Sequence, residues 1–206
     1  MQDDAPYTYA GANGKSVNNY DRRYRGFTTL REAITDSINI VTVKTLAQAG
    51  VSLGWQYVQE YGFTTVDSRD MNEALALGGI TQGVSNLELT AAYAAIANQG
   101  TYIKPKFYTK ILDHDGNVLI DNTTPESHTV IKDTTAWLLT SAMEDVMTSG
   151  TGTSAYFGSS MAQAGKSGTT TSSRDALFAG YTPYYTCAVW GGYDDNAMQK
   201  GSDTNY

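Results

Sequence analysis

The sequence predicts an α+β fold, in which an antiparallel sheet packs with helices. Helix signals fill much of residues 29–100 and return at 133–148, whereas strand-like runs follow one another between residues 166 and 193. Helices followed by consecutive strands, without regular alternation of the two, are typical of this class. With 206 residues, the chain is long enough to bury a substantial core.

Capping boxes mark the starts of two helices. Thr29 and Ser85 are each followed three residues later by a glutamate, so that side chain and backbone can cap each other. The first box opens a helix that residues 37–39 interrupt. A second helix over residues 40–49 and a short one over about 52–61 are each stopped by a glycine. The second box opens a helix with a small-residue packing face made of Leu87, Ala91, Ala94 and Ala95.

A further helix is predicted over residues 133–148, with strands on both sides of it. Its apolar residues at helical spacing are Leu138, Leu139, Ala142, Met143, Val146 and Met147. Residues 101–120 predict a hairpin across Asp115-Gly116, in which Tyr108, Lys110 and Leu112 face Val118 and Ile120. Residues 176–181 and 185–193 predict the last two strands, with a turn between them.

Composition limits the classes of function. A net charge of −7 argues against a nucleic-acid partner, because the chain would repel a phosphate backbone. No apolar run approaches the roughly 20 residues that a membrane-spanning helix needs, and the acidic, polar start is not a signal peptide. Residues 1–27 are polar and without period, so we expect a loop or extended arm there, and we expect residues 28–206 to form one domain or one large part of a domain.

The most informative stretch is Lys166-Ser167-Gly168-Thr169-Thr170, which is predicted to be extended. Lys166 supplies a cation, and Ser167 and Thr169 supply hydroxyl donors, which together suit a carboxylate. Gly168 has no side chain to block a substrate backbone that pairs alongside the strand. The stretch therefore predicts a binding edge for a peptide that ends in a carboxylate. The plain alternative is an ordinary edge strand with a solubilising lysine.

Two other kinds of ligand site are disfavoured. Gly165-Lys166-Ser167 matches the end of a phosphate-binding loop, but Ser160 stands where the first glycine of that motif is required, and a strand, not a helix, is predicted to follow. A metal site is disfavoured because His114 and His128 lie far apart and Cys187 is the single cysteine. We therefore expect no metal and no cofactor.

Ordered motifs accompany the lysine-containing strand. Ser37-Ile38-Asn39 lies about 130 residues before it. The others are Ala74-Leu75-Ala76-Leu77-Gly78-Gly79, Gly83-Val84-Ser85, Ala91-Ala92-Tyr93-Ala94, Asn98-Gln99-Gly100-Thr101-Tyr102, Gly150-Thr151-Gly152, Arg174-Asp175-Ala176, Gly180-Tyr181-Thr182-Pro183 and Val189-Trp190-Gly191-Gly192-Tyr193-Asp194. From about Thr29 to Asp195, this set resembles the transpeptidase domain of class A penicillin-binding proteins, within the penicillin-binding protein and serine β-lactamase superfamily.

The resemblance implies acyl transfer on peptidoglycan stem peptides that end in D-Ala-D-Ala. A serine attacks the penultimate carbonyl, D-Ala leaves, and an amine of a neighbouring stem accepts the acyl group. In this scheme Ser37 relays a proton between the lysine of the family's nucleophile motif, which this chain lacks, and the leaving amine, and Asn39 hydrogen-bonds the substrate backbone. Lys166 holds Ser37 and sets a positive potential for the terminal carboxylate.

The resemblance also assigns the rest of the strand to substrate binding. The hydroxyls of Ser167 and Thr169 would bind the terminal carboxylate. The backbone N–H of Thr169 would form half of the oxyanion hole, which makes Thr169 a catalytic residue as well. Gly168 and Thr170 would complete the substrate-binding strand.

One departure from the family pattern concerns the nucleophile. The family uses the serine of a Ser-x-x-Lys motif upstream of Ser-x-Asn, and no serine of this chain has lysine three residues later. Thr101-Tyr102-Ile103-Lys104 has the spacing, but with a threonine and in a different context. We therefore expect a C-terminal piece of the domain, without the N-terminal strands and the nucleophile helix, that is inactive alone. The alternative is a non-catalytic module that binds peptidoglycan peptides.

Partners and location follow from the same resemblance. It implies stem peptides as ligands and β-lactam antibiotics as ligands of the complete domain. It also implies a parent protein anchored upstream of this chain, at the extracytoplasmic face of the bacterial membrane. The sheet edge left by the missing strands predicts self-association of the chain.

Overall fold

The computed structural model describes residues 1–10, 14–170 and 173–199. The helices of this part are α1 (Leu30–Thr35), α2 (Asn39–Ala49), α3 (Val51–Glu60), α4 (Asn86–Ala97) and α5 (Asp133–Thr148). The strands are β1 (Gln2–Asp4), β2 (Tyr7–Thr8), β3 (Ser16–Val17), β4 (Gly26–Thr28), β5 (Thr101–Ile103), β6 (Lys110–Leu112), β7 (Val118–Asp121), β8 (Ser127–Thr129), β9 (Ala164–Thr169), β10 (Asp175–Tyr181) and β11 (Thr186–Gly192). The end of the predicted domain range, residues 200–206, lies outside the described residues.

The sheet that carries the predicted binding strand has three antiparallel strands in the order β11-β10-β9. Lys166 of β9 pairs with Ala179 of β10, and Ser167 pairs with Phe178, which in turn pairs with Val189 of β11. The strands that pair in this sheet also follow one another in sequence, as expected for consecutive strands of the predicted antiparallel sheet. β9 forms one edge of the sheet and β11 the other.

Helices α4 and α5 cover one face of this sheet. Met143 of α5 belongs to one buried cluster with Ala164 of β9 and Tyr181 of β10, and Tyr93 of α4 packs against that cluster. The Tyr181 hydroxyl lies 2.7 Å from Oγ1 of Thr140 in α5, so the polar end of this buried tyrosine is satisfied. Helices packed on an antiparallel sheet confirm the predicted α+β class.

The two capping boxes form as predicted. Thr29 caps α1 and Ser85 caps α4, and in each box the glutamate three residues later returns a hydrogen bond to the capping residue. Helix α5 spans the predicted residues 133–148. The two boxes could be predicted because each involves only a few consecutive residues, and α5 could be predicted from its apolar spacing.

Two leucines expected on packing faces are exposed. Leu87 is 44% exposed, since α4 buries Ala91, Ala92 and Ala95 instead and Leu87 lies in its first turn. Leu138 is 60% exposed because it follows the buried Ala136 by two residues, which places it about 200° further around α5. Both predictions were wrong, since apolar spacing alone does not locate the centre of the buried face.

The predicted hairpin forms only in part. Strands β6 and β7 pair across a turn in which the Gly116 N–H donates to the Asp113 carbonyl at 3.1 Å. Residues 101–103 do not belong to this hairpin, because β5 pairs with β8. The partner of β5 lies beyond the hairpin in sequence, so no local turn signal could have revealed it.

The sequence predicts a loop or extended arm over residues 1–27, whereas the described residues of this segment, 1–10 and 14–27, include short paired strands. Strand β1 pairs with β4, and β2 pairs with β3. Asp4, Val17 and Asn19 are buried, and Val17 packs with Ile40 and Val43 of α2. The segment therefore packs on the start of α2, where the Ser-x-Asn turn lies.

Candidate active site

Lys166 and Ser37 meet at the edge of the sheet. The Nζ of Lys166 donates a hydrogen bond of 2.9 Å to the Oγ of Ser37 and one of 3.0 Å to the carbonyl of Ser167. The first contact joins the turn between α1 and α2 to β9, over 129 residues of sequence. Two residues that the sequence predicted for one site are therefore in direct contact.

Burial changes the acid–base behaviour of Lys166. The half-buried position lowers the pKa of its ammonium from 10.5 to about 8, because desolvation penalises the charged form. The group is still mainly protonated at neutral pH, yet it holds its proton less firmly than an exposed lysine does. A lysine in this state can both attract an anion and take part in proton transfer.

The backbone at Ser37 is held in an unfavourable conformation. Its φ is +55°, in the left-handed region that non-glycine residues seldom adopt. The next residue anchors it, since Ile38 is 1% exposed and its N–H donates to the Ala33 carbonyl at 2.9 Å. Ala33, Ile38 and Val41 form one buried cluster that fixes the turn. Packing around Ser37 thus compensates for a backbone strain that aims its hydroxyl at Lys166.

Asn39 is held by the segment before α1. Its Nδ2 donates to the carbonyl of Asn18 at 2.8 Å. The next backbone N–H, that of Ile40, donates to Oδ1 of Asn19 at 3.2 Å. Helix α2 has no side-chain cap of its own at Ile38, so Asn19 satisfies a donor of its first turn from outside the helix. Asn18 and Asn19 therefore hold Asn39 and Ile40 in place at the start of α2.

Asn19 is itself anchored by a buried carboxylate, which the sequence reasoning missed. Its Nδ2 lies 2.8 and 3.0 Å from the two carboxylate oxygens of Asp4 and also donates to the Arg23 carbonyl. Asp4 is fully buried and accepts a further hydrogen bond from the Arg25 N–H at 2.9 Å. No pattern marked this brace, because both residues lie in a polar segment without periodicity.

The predicted substrate-binding residues in β9 and directly after it have different surroundings. The Oγ of Ser167 donates to Oγ1 of Thr151 at 2.8 Å. Thr169 is exposed at the end of the strand. The hydroxyl of Thr170 donates to the Asp175 carboxylate at 3.0 Å and accepts from the Asp175 N–H at 2.8 Å, which ties it to β10. The binding roles of all three stay predictions.

Gly168 leaves the edge of β9 open. A Cβ added there would meet only Leu177 atoms, the nearer at 3.5 Å, which is ordinary van der Waals contact. Glycine is therefore not required at this position by packing within the described residues. Its missing side chain instead leaves room beside Lys166, whose side chain shares the same face of the strand.

An apolar hollow of about 240 Å³ adjoins the other face of the strand. Ser167, Phe178 and Val189, which lie in one cross-strand row, contribute to its wall together with Thr151. Ser167 and Thr151 therefore lie where β9 borders this hollow.

The phosphate-loop and metal interpretations gain no support from the geometry. Lys166 lies inside a strand that runs from Ala164 to Thr169, where a phosphate loop would begin a helix. His114 lies in the exposed turn of the β6–β7 hairpin. His128 lies in β8, where its Nε2 is 2.8 Å from the Glu60 carbonyl.

Comparison with known proteins identifies the family. The family model for the penicillin binding protein transpeptidase domain matches residues 2–204. The chain is 41% identical over 182 residues to penicillin-binding protein 1F of Bacillus subtilis, covering 85% of this chain and 25% of that protein. It is 36% identical over 201 residues to penicillin-binding protein 1A of Clostridium perfringens, covering 94% of this chain and 29% of that protein. The chain belongs to the transpeptidase domain family of the class A penicillin-binding proteins.

Solved structures agree with this assignment. Penicillin-binding protein 1A from Haemophilus influenzae superposes with a TM-score of 0.85 at 25% identity, covering 97% of this chain and 36% of that one. PonA1 from Mycobacterium tuberculosis superposes with a TM-score of 0.76 at 25% identity, covering 94% of this chain and 54% of that one. The chain thus spans about a quarter of the length of the curated relatives it matches. No helix in the described part has both the length and the apolar composition that a bilayer crossing requires.

Proposed function

We propose that this chain supplies the proton-relay and carboxylate-binding part of a D,D-transpeptidase, which cross-links peptidoglycan by serine acyl transfer on D-Ala-D-Ala stem peptides. The observation that carries the proposal is the 2.9 Å hydrogen bond from Lys166 Nζ to Ser37 Oγ at the edge of the sheet. It joins an ammonium and a hydroxyl beside a strand that a peptide can pair with. We further propose that residues 28–206 form the C-terminal portion of a single domain.

Ser37 is suited to carry a proton to the leaving amine. Its Oγ accepts a hydrogen bond from Lys166, so its own single hydrogen is directed elsewhere. In the reaction that hydrogen passes to the departing nitrogen of D-Ala, while the proton of the attacking serine replaces it. Asn39, fixed by Asn18, would hydrogen-bond the substrate backbone with the remaining groups of its amide. A positioned proton donor of this kind contributes about 10²–10⁴-fold to a rate.

The terminal carboxylate of the substrate would bind along β9. The ammonium of Lys166 provides the attraction, and the hydroxyls of Ser167 and Thr169 provide charge-assisted hydrogen bonds. Gly168 leaves space for the substrate backbone, and Thr170, directly after the strand, completes the proposed substrate-binding stretch. The Thr169 N–H would donate to the oxyanion, and loss of such a donor typically costs about 3 kcal/mol in the transition state.

The attacking serine would come from a part of the protein outside these 206 residues. No serine of the chain precedes a lysine by three positions. We therefore propose that the chain alone forms no acyl-enzyme, whereas the complete protein reacts with stem peptides and β-lactam antibiotics. The substrate lies outside the cytoplasm, so we place the complete protein at the extracytoplasmic face of the bacterial membrane.

Intact-mass spectrometry after incubation with a penicillin tests this proposal. The 206-residue chain is expected to keep its mass, and the complete protein is expected to gain one penicilloyl group. In the complete protein, Lys166→Ala is expected to abolish the adduct. An adduct on the chain alone would show that it holds its own nucleophile, and a complete protein that never reacts would favour a non-catalytic peptide-binding module.

A further inference from the structure

Thr151 contacts the carboxylate-binding strand β9, and the proposed reaction gives it no role. It lies in the Gly150-Thr151-Gly152 motif, directly after α5. Its Oγ1 accepts a hydrogen bond of 2.8 Å from the Oγ of Ser167, 16 residues further along the chain. A hydroxyl is thus placed against one of the groups that would hold the terminal carboxylate.

The glycines on either side hold Thr151 in this position. A Cβ on Gly150 would lie 2.3 Å from the carbonyl oxygen of Thr35 and 2.9 Å from Cα of Val146. A Cβ on Gly152 would lie 3.1 Å from Sδ of Met147, with atoms of Val146 at 3.2 Å. The N–H of Thr151 donates to the Thr35 carbonyl at 3.2 Å. The close approach of α1 and α5 to this backbone therefore fixes where the Thr151 hydroxyl stands.

The present direction of the Ser167–Thr151 hydrogen bond does not suit an anion. A serine hydroxyl has one hydrogen, and a carboxylate has only acceptors. Ser167 now donates its hydrogen to Thr151. To bind a carboxylate, Ser167 must turn that hydrogen to the ligand, which leaves its oxygen free to accept from Thr151. The two hydroxyls then form a chain in which each bond polarises the next.

We propose that Thr151 is a positioning residue of the carboxylate site, and that the Ser167–Thr151 hydrogen bond reverses direction when a carboxylate-terminated peptide binds. Thr151 then donates to Ser167 and holds the Ser167 hydrogen on the ligand. The inference rests on the proposed function in so far as it takes a carboxylate-terminated peptide as the ligand. It needs no nucleophile, because it concerns binding alone.

Two ligands that differ only at the C-terminus distinguish a loss of carboxylate binding from a general loss of structure. The affinity of the 206-residue chain is measured by NMR titration for diacetyl-L-lysyl-D-alanyl-D-alanine and for the same peptide with a C-terminal amide. Thr151→Val removes the hydroxyl with little change of shape, and Thr151→Ser keeps it. Thr151 is exposed, so these variants are expected to fold. Thr151→Ala provides a second hydroxyl-free variant, and thermal melting checks the fold of each.

The native chain is expected to bind the acid about tenfold more tightly than the amide, which corresponds to the contribution of one charge-assisted hydrogen bond. Thr151→Val and Thr151→Ala are expected to lower this preference about fivefold through weaker binding of the acid alone, while Thr151→Ser retains it. Equal losses for acid and amide, an unchanged preference in Thr151→Val, or no preference in the native chain would each overturn the inference. If the complete protein fails to react with penicillin while the preference still falls in Thr151→Val, the reaction proposal fails and this inference stands.

Discussion

The ammonium of Lys166 lies 2.9 Å from the hydroxyl of Ser37, although 129 residues separate them in sequence. The contact depends on two supports. The buried Ile38 holds the turn that carries Ser37, and the pairing of β9 with β10 holds the strand that carries Lys166. This contact between a turn and a strand is therefore fixed by the packing of two separate parts of the chain.

The pKa of Lys166 makes stability depend on pH in a defined direction. It lies near 8 in the folded chain and near 10.5 when the lysine is unperturbed. Between these values the unfolded state binds more protons, so folding stability rises with pH across this window. We expect the native chain to gain about 2 kcal/mol relative to Lys166→Met between pH 7 and pH 10.

Urea denaturation at both pH values measures this difference. Lys15→Met serves as the control, because Lys15 is exposed, and its difference from the native chain is expected to stay constant. A stability difference for Lys166→Met that does not change with pH would show that burial does not shift this lysine.

Asn19 is expected to stabilise the site through the brace that it forms with Asp4. Asn19→Ala removes the amide that contacts both Asp4 oxygens and the acceptor of the Ile40 N–H. A buried carboxylate then loses part of its solvation, so we expect a loss of about 2–4 kcal/mol in the free energy of unfolding.

Chemical denaturation of Asn18→Ala supplies the matched control. Asn18 is exposed and holds Asn39 through its backbone carbonyl, which alanine retains. We expect a change within about 0.5 kcal/mol. Similar losses in both variants would contradict a specific role for the Asn19 side chain.

Two glycines of β9 are expected to respond differently to alanine. In Gly165→Ala the new Cβ would lie 2.7 Å from Cζ of Phe178, so the fold should lose about 1–3 kcal/mol. In Gly168→Ala the nearest atom is Cβ of Leu177 at 3.5 Å, so the fold should tolerate the methyl.

Peptide binding should show the opposite pattern for Gly168. Its new methyl group would stand where a substrate backbone pairs with the strand, and we expect weaker binding of the D-Ala-D-Ala peptide at unchanged melting temperature. Binding equal to that of the native chain would remove Gly168 from the proposed peptide edge.

Strand β11 is expected to mediate self-association of the chain. It is the second edge of the three-stranded sheet, and it exposes Val189 and Trp190 at 59% and 42%. An open, apolar edge strand favours pairing with another chain. Sedimentation velocity at rising concentration should therefore show dimers, which Val189→Lys should suppress.

Leu138→Lys is the control for Val189→Lys, because it adds the same charge on a helix instead of on the sheet edge. Leu138 is similarly exposed, on α5, and its substitution should leave association unchanged. A native chain that stays strictly monomeric at high concentration would refute the prediction.

Much of the site could be predicted because its residues lie in short motifs. Lys166 to Thr169 are consecutive, so a single strand carries all four of them. Ser37 and Asn39 lie two residues apart at the junction of α1 and α2. Only the tertiary fold could reveal that Asn19 accepts from the Ile40 N–H and that Thr151 accepts from Ser167, because neither contact follows a period or a fixed spacing.

The sequence by itself determined the capping boxes, the limits of α5, the order of the last three strands and the identity of the motif residues. All of these depend on interactions within a few consecutive residues or on apolar periodicity. The tertiary structure decided that Leu138 is exposed, that β5 pairs with β8 and that Asp4 is buried. It also decided that Lys166 reaches Ser37. These outcomes depend on which distant surfaces pack together, and burial of that kind is a property of the whole chain.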